Sequence, residues 1–427
     1  MRDRSGLFTD RYELTMLDSW VRDGSAGHPA VFEAFARRLP EGRRYGMLGG
    51  LGRLLPLIEE FTFSSEEVDW LVAQGAISDL TAGYLRDFRF RGDVDGYAEG
   101  DLYFPGSPVL TVTGTLGECV VLETLVLSVL NHDTAIASAA ARMVDAAAGR
   151  PLIEMGSRRT HEEAAVASAR AAYLAGFAST SNLAAGLRHG VPTVGTAAHA
   201  FTLAHTSEDE AFRSQVEALG VGTTLLVDTY DITEGIRTAV KVAGPELGAV
   251  RIDSGDLAEE SAKARALLDD LGAVDTRIVV TSDLDEFVIT ALSDAPIDGY
   301  GVGTRLVTGS GHPTASMVYK LVAVADSPDG PLRPVAKKAV GKASAGGRKH
   351  VTREYDGATL VAERTTLEPG SGASPQVPLI RGGEVVHRPT LAAVRDHAAA
   401  ALASLPPTAR EVAAGAPYLT VELEEDR

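Results

Sequence analysis

Apolar and polar positions repeat along the middle of the chain in one pattern: a short apolar run, a polar tip, then a stretch with helical spacing. Leu225-Leu-Val-Asp228-Thr-Tyr-Asp231, Ala249-Val-Arg251-Ile-Asp253-Ser-Gly-Asp256, Ile278-Val-Val-Thr-Ser282-Asp283 and Gly301-Val-Gly303-Thr304-Arg305 share it. Val191-Pro-Thr-Val-Gly-Thr-Ala-Ala-His199 belongs with them and sets a histidine on a small-residue loop beyond an apolar strand. From residue 152 the pattern predicts a strand over 152–155, a helix over 162–175, a strand near Phe177 and a helix from Asn182. A strand ending at Gly195 and segments ending at Asp228, Asp253, Ser282 and Gly303 follow. Roughly seven strands alternating with helices imply a parallel α/β sheet or barrel.

The flanking segments differ. Asp10-Arg-Tyr12-Glu13 reads as a capping box before an amphipathic helix through Leu14, Leu17 and Val21, with Tyr12 exposed in the first turn. Residues 28–115 mix short strands, such as 31–35 and 109–113, with helices and turns. The Ala- and Leu-rich run 117–149 reads as helical. Beyond Leu321 come strands, a basic loop (Lys337, Lys338, Lys342, Arg348 and Lys349, among Gly341, Gly346 and Gly347) and an Ala-rich helix over 391–405. The expected division is an N-terminal α+β domain over 1–130, an α/β barrel over 131–325, and a C-terminal segment over 326–427 that completes the first domain.

Composition narrows the class. At 427 residues the chain exceeds the roughly 250–300 residues at which a single core stops growing. The lone cysteine, Cys119, excludes an intramolecular disulfide and a Cys-rich zinc site, fits a reducing compartment and reads as core. The apolar stretch 120–130 is shorter than a bilayer span, and the first residues lack the apolar centre of a signal peptide, so a cytoplasmic protein free of the membrane is expected. A net charge of −18 opposes sequence-independent nucleic-acid binding. Small anions remain suitable ligands where Arg158, Arg159, Arg251 and Arg305 focus a positive field at strand ends.

His199 can serve as a hydrogen-bond partner, a base, a metal ligand or a phosphorylated intermediate; His205 is too far along for both to share a helix face, so histidine metal ligation is weak. Asp253-Ser-Gly-Asp256 reads either as a turn with Asp256 capping a helix or as a site in which Asp253 binds vicinal hydroxyls and Arg251 a phosphate. Asp228 and Asp231 share the ambiguity, while Asp283 and Asp285 read as caps. Gly301-Val-Gly303-Thr304 is a glycine turn suited to phosphate but matches neither the dinucleotide fingerprint nor the P-loop. The basic loop reads as a solvated face, with a lid over phosphates as the alternative, and no strand-end lysine stands ready for an aldolase-like Schiff base.

In order along the chain, Leu7-Phe-Thr-Asp10-Arg-Tyr12-Glu-Leu-Thr-Met16, Phe32-Glu-Ala-Phe35, Arg38-Leu-Pro, Glu123-Thr-Leu-Val-Leu, Glu154-Met-Gly156-Ser-Arg158-Arg159 and Ser179-Thr-Ser181-Asn182 stand before the strand-end segments above. Together they resemble the nicotinate phosphoribosyltransferases, type II phosphoribosyltransferases. The resemblance implies an irregular parallel α/β barrel plus an α+β domain built from N- and C-terminal segments. It implies nicotinate and 5-phosphoribosyl 1-pyrophosphate as substrates, nicotinate mononucleotide and pyrophosphate as products, ATP hydrolysed alongside, Mg²⁺, and a homodimer with shared active sites in NAD salvage.

By motif, His199 would be the phosphorylated histidine, and Tyr12 would reach from the neighbouring subunit onto the pyridine ring. Arg158 would lie by the ring and its carboxylate, with Thr180 and Ser181 nearby; Arg251 and Asp253 would hold the phosphoribosyl group, Asp253 also Mg²⁺, and Gly301, Gly303 and Thr304 the 5-phosphate. Met155 stands where relatives usually have phenylalanine, Ser179 replaces the usual glycine, and the cysteine cluster of some relatives is missing, so no zinc is expected. A hydroxyl at Ser181 tolerates a carboxylate that an aspartate would repel, which favours the acid as substrate. Nicotinamide or quinolinate phosphoribosyl transfer and an inactive metabolite-binding relative are the alternatives.

Overall fold

The computed structural model describes residues 6–337, 345–421 and 423. They form two compact units: the segments up to Ser138 and from His312 onward make the first, and Ala139–Gly311 the second. Residues 312–325, grouped with the barrel by the sequence pattern, fall in the first unit, because the strand Met317–Val324 pairs antiparallel with Pro29–Ala36 and Asn131 accepts from the backbone of Met317.

The first unit is built on a seven-stranded antiparallel sheet ordered Arg333–Pro334, Met317–Val324, Pro29–Ala36, Pro108–Thr115, Asp93–Tyr97, Gln376–Arg381, Glu384–Val385. N- and C-terminal segments therefore interleave within one sheet. The ring of Phe32 stacks on Tyr319 with centroids 4.9 Å apart, on adjacent strands of the core. The helix Arg11–Asp23 buries Leu14 and Leu17, as its spacing predicts. Its capping box does not form: the Asp10 side chain makes no cap bond. Glu13 is buried instead and accepts from the hydroxyls of Thr9 and Thr124 and from the Thr124 amide, two hydroxyls near enough to outcompete one amide at the helix start. Cys119 is buried in the core. The helical run Leu116–Ala146 is apolar and long enough to cross a membrane by length and composition, and most of it is buried within the protein in the manner of a core helix.

Lys349 departs from the solvated reading of the basic loop. Its ammonium lies 2.7 Å from Glu33 Oε2, and its backbone N–H donates to Oε1 of the same buried carboxylate. Arg348 pairs with Asp95 at 2.8 Å, while Lys338, Gly341 and Lys342 lie outside the described residues.

The second unit carries a six-stranded parallel sheet: β1 (Leu152–Glu154), β2 (Ser179–Thr180), β3 (Thr224–Leu226), β4 (Ala249–Ile252), β5 (Arg277–Ser282) and β6 (Gly299–Val302), ordered β2-β1-β6-β5-β4-β3. The segment expected to form a strand ending at Gly195 contributes one parallel bridge, Thr193 to Thr180, on the outer side of β2. This is the irregular, partly closed barrel of an α/β protein. Helices Glu162–Ala175, Leu183–His189, Glu208–Leu219, Ile232–Ala243, Leu257–Asp270 and Glu286–Ala291 alternate with its strands. Asn182, Ser207, Asp231, Asp256 and Asp285 cap five of them through their side chains. Asn182, Asp231, Asp256 and Asp285 each start a helix within a few residues of a strand end, which leaves the residues just before them free to face a common mouth.

Removing one partner of a buried ion pair is strongly destabilising, because the other charge stays desolvated. Lys349→Met is therefore expected to lower stability by about 3–5 kcal/mol, with much of the loss recovered when Glu33→Gln is added. Thermal melting of the wild type, the single variant and the double variant checks this; an unchanged melting temperature in Lys349→Met overturns it.

Candidate active site

Along β4, Val250 and Ile252 are fully buried, so the two-residue period of a strand brings Arg251 and Asp253 to one face. Asp253 accepts from Thr281 Oγ1 on β5 at 2.5 Å, and its Oδ2 lies 3.9 Å from His199 Nε2. Asp228, just past β3, presents Oδ1 to the same ring nitrogen at 3.9 Å, while its Oδ2 accepts from the Asp253 amide at 2.8 Å and from Ser254 Oγ at 2.7 Å. His199 Nδ1 is 3.2 Å from Thr229 Oγ1. The imidazole is 42% exposed at the start of the helix His199–Leu203, so one edge meets two carboxylates and a hydroxyl while the rest stays accessible.

Arg251 Nη1 donates to Thr196 Oγ1 at 2.5 Å, and its buried Nε has no hydrogen-bond partner. Burial pushes its pKa below the ordinary guanidinium value, against the pull of Asp253 and Asp228. The Oδ1 atom of Asp228 is likewise buried and unpartnered. Such atoms are costly unless a ligand, ion or water completes them.

Arg251 and Asp253 open onto a cavity of about 300 Å³ that Arg158 and Arg159 also line. Gly301, Gly303, Thr304 and Met155 form part of the same wall. A Cβ at Gly301 would come within 2.5 Å of Thr281 Cγ2 and 2.8 Å of Met155 Sδ, so only glycine lets β6 run this close to its neighbours. Asp283 lines the cavity as well, whereas the sequence reading made it a cap; Asp285 alone caps the following helix.

The arginine-bearing loop after β1 is fixed from beneath. Glu154 is fully buried and accepts from the amide of Gly156 and from Thr180 Oγ1. Thr180 in turn accepts from the Asn182 amide at 2.9 Å, and Asn182 Nδ2 donates to Ser157 Oγ at 3.1 Å. Thr180 is thus consumed inside the fold and holds two loops together rather than facing the cavity. Ser181 is exposed at the end of β2, with its amide on the Glu154 carbonyl. Tyr12 belongs to the first unit, where it is about half exposed and hydrogen-bonded to Glu123; burial and the Glu123 and Glu13 charges push its phenol pKa up.

Among the sequence candidates, His199, Arg251, Asp253, Arg158, Gly301, Gly303 and Thr304 therefore gather at one end of the second unit's sheet. Sequence reasoning missed Thr196, Thr229, Thr281 and Glu154 as supporting groups, although each sits within three residues of a candidate or at a strand end. Glu208 was missed altogether. It begins the helix Glu208–Leu219, where an acid needs no special explanation, yet its Oε1 is buried without a partner and its pKa is raised to about 7 by burial and by the charges of Asp228 and Asp231.

The model for the nicotinate phosphoribosyltransferase N-terminal domain matches residues 7–131. Nicotinate phosphoribosyltransferase pncB1 of Mycobacterium tuberculosis is 58% identical to this chain, covering 98% of it and 95% of the relative. The chain belongs to the nicotinate phosphoribosyltransferase family. A family relative from Bacillus subtilis is 38% identical over 82% of this chain and 73% of its own length. The fold matches the crystal structure of human nicotinic acid phosphoribosyltransferase with a TM-score of 0.82, covering 98% of this chain and 97% of that one at 24% identity.

For Glu208, whose pKa in the folded protein is pushed up to about 7, above the ordinary carboxylate value, the protonated form is favoured by folding. Its ionisation penalty is absent at low pH, grows as pH rises from the unfolded value, and is complete above the folded one. Glu208→Gln is expected to raise the melting temperature at pH 8 in EDTA and to give little gain at pH 5. Equal gains at both values would overturn the assignment.

Proposed function

We propose that this protein is an ATP-coupled nicotinate phosphoribosyltransferase that makes nicotinate mononucleotide and pyrophosphate from nicotinate and 5-phosphoribosyl 1-pyrophosphate in the Preiss–Handler route of NAD salvage. The observation that carries the reading is the meeting of Arg251 and Asp253 at a cavity also lined by Arg158, Arg159 and Thr304, with His199 Nε2 3.9 Å from Asp253. In the transfer, the pyridine nitrogen forms a bond to the anomeric carbon as the bond to the pyrophosphate oxygen breaks, and positive charge develops on the ribose. Such a step needs positioned anion donors and a nearby carboxylate more than it needs a strong base.

Arg158 and Arg159 set a positive field that suits the carboxylate of nicotinate, and the Ser181 hydroxyl adds no negative charge against it. Arg251 offers a guanidinium with an unused Nε to a phosphate, Asp253 faces the ribose, and Gly301, Gly303 and Thr304 line the part of the cavity assigned to the 5-phosphate.

Asp253 and Asp228 suit Mg²⁺, because carboxylate oxygens are hard donors and Oδ1 of Asp228 is buried without a partner. Among the described residues no group of three or more His, Cys, Asp or Glu gathers as a metal site, so substrate oxygens and water would complete the shell. When bound, Mg²⁺ neutralises charge on the pyrophosphate.

In the ATP half-reaction an imidazole nitrogen of His199 takes the γ-phosphoryl group and ADP leaves; water later cleaves the phosphohistidine to phosphate. Thr229 can donate to or accept from Nδ1, and the two carboxylates face Nε2, so the ring can hold its proton on either side. The proposed assembly is a cytoplasmic homodimer in which the exposed Tyr12 of one subunit serves the other's site.

Purified protein supplied with nicotinate, nicotinamide or quinolinate, the phosphoribosyl donor and Mg²⁺, with and without ATP, tests the reading. Nicotinate turnover accelerated by ATP is expected, and His199→Ala should abolish nicotinate-stimulated ATP hydrolysis while leaving slow ATP-independent transfer. Undiminished coupling in that variant would remove His199 from the role, and silence with all three acceptors would favour a metabolite-binding protein. Arg158→Ala should raise KM for nicotinate by about tenfold or more, the size expected for losing a charged hydrogen bond. An unchanged KM would remove Arg158 from the pyridine carboxylate.

A further inference from the structure

The segment just before His199 is held by one strand at two points. Arg251 Nη1 grips Thr196 Oγ1 at 2.5 Å, and two residues along the same face of β4, Asp253 Oδ2 stands 3.9 Å from His199 Nε2. Between these points lie only Ala197 and Ala198, and Ala198 provides no side-chain cap to the helix His199–Leu203. Among the described residues, the Thr196–Arg251 bond is the only hydrogen bond tying residues 195–198 to another element; the remaining bonds of this stretch are local, Thr196 to the Ala197 carbonyl and Phe201 to the Ala198 carbonyl.

Arg251 also lines the cavity and keeps an unpartnered Nε. An anion arriving there competes for the guanidinium that positions Thr196, and a displacement of Thr196 is passed to His199 through a stretch with no other anchor. We infer that Thr196 is a positioning residue that couples occupancy of the phosphoribosyl site to the state of His199. The inference rests on the ATP-coupled reading above. By reciprocity, whatever phosphorylation of His199 does to donor affinity, donor binding does to phosphorylation, and the Thr196–Arg251 contact is the link through which both pass.

Thr196→Val keeps the shape of the side chain and removes the hydroxyl; Thr196→Ser keeps the hydroxyl. The test measures KM for 5-phosphoribosyl 1-pyrophosphate with and without ATP, and the ATP hydrolysed per nicotinate mononucleotide formed. In the wild type ATP is expected to lower KM for the donor at a fixed stoichiometry. In Thr196→Val that shift should shrink by about fivefold or more, at the low end of ordinary coupling factors, ATP consumed per product should rise, and ATP-independent kcat should stay within about threefold of wild type, a barrier change of about 0.65 kcal/mol or less. Thr196→Ser should restore both readouts.

A wild-type KM shift and stoichiometry in Thr196→Val would overturn the inference and leave the ATP-coupled reading standing. An ATP effect missing from the wild type would remove both. Loss of ATP-independent turnover in Thr196→Val and Thr196→Ala alike would also overturn it, because Thr196 would then act in the transfer itself.

Discussion

The mouth of the parallel sheet depends on keeping the Arg251 guanidinium charged and only partly satisfied within the fold. Burial lowers its pKa, and Asp253 and Asp228 oppose that shift. The same carboxylates face His199 Nε2, so they serve the cation on one side and the imidazole on the other. With more partners Arg251 would be stable but spent; with fewer it would be too costly to bury. The unpartnered Nε is what remains for a ligand.

That balance needs a rigid support. Glu154 provides one by accepting from Gly156 and Thr180 beneath the loop that carries Arg158, and burial raises its pKa despite those bonds. The amide of Gly156 and the hydroxyl of Thr180 thus become fixed points, and the loop ends of β1 and β2 cannot shift separately without stranding a buried carboxylate. The first unit applies the same device at Arg353, which contacts Asp101 at 2.6 Å and Glu363 at 2.8 Å in its core. Buried charge sets register there and sets side-chain direction in the second unit.

Much of this was legible before the structure. Alternating strand and helix signals located β1, β3, β4, β5 and β6 and the helix Glu162–Ala175, because a buried strand between caps leaves an apolar run with polar ends. Asp256 and Asp285 were legible as caps because cap geometry is local. What failed was decided by distant partners. Glu13 was drawn from its helix start by Thr124, Lys349 was drawn inward by Glu33, and Thr180 was turned from the cavity by Glu154. None of these partners is a sequence neighbour close enough for a motif to record. Glu208 shows the same limit, since an acid after a Ser cap looks ordinary until Asp228 and Asp231 are folded beside it.

The failed strand before Gly195 bears on function. Thr193 makes a single bridge to Thr180, and the chain then leaves the sheet, so His199 is carried by a segment with little ladder of its own. A fully paired strand there would fix the imidazole as firmly as Asp253 is fixed by Thr281. A segment held by few bonds opens at low free energy, which suits the phosphoryl exchange proposed for His199. Irregularity at this edge of the barrel and rigidity at β4 are therefore complementary: one strand holds the reacting geometry, and the loop beside it is left able to move.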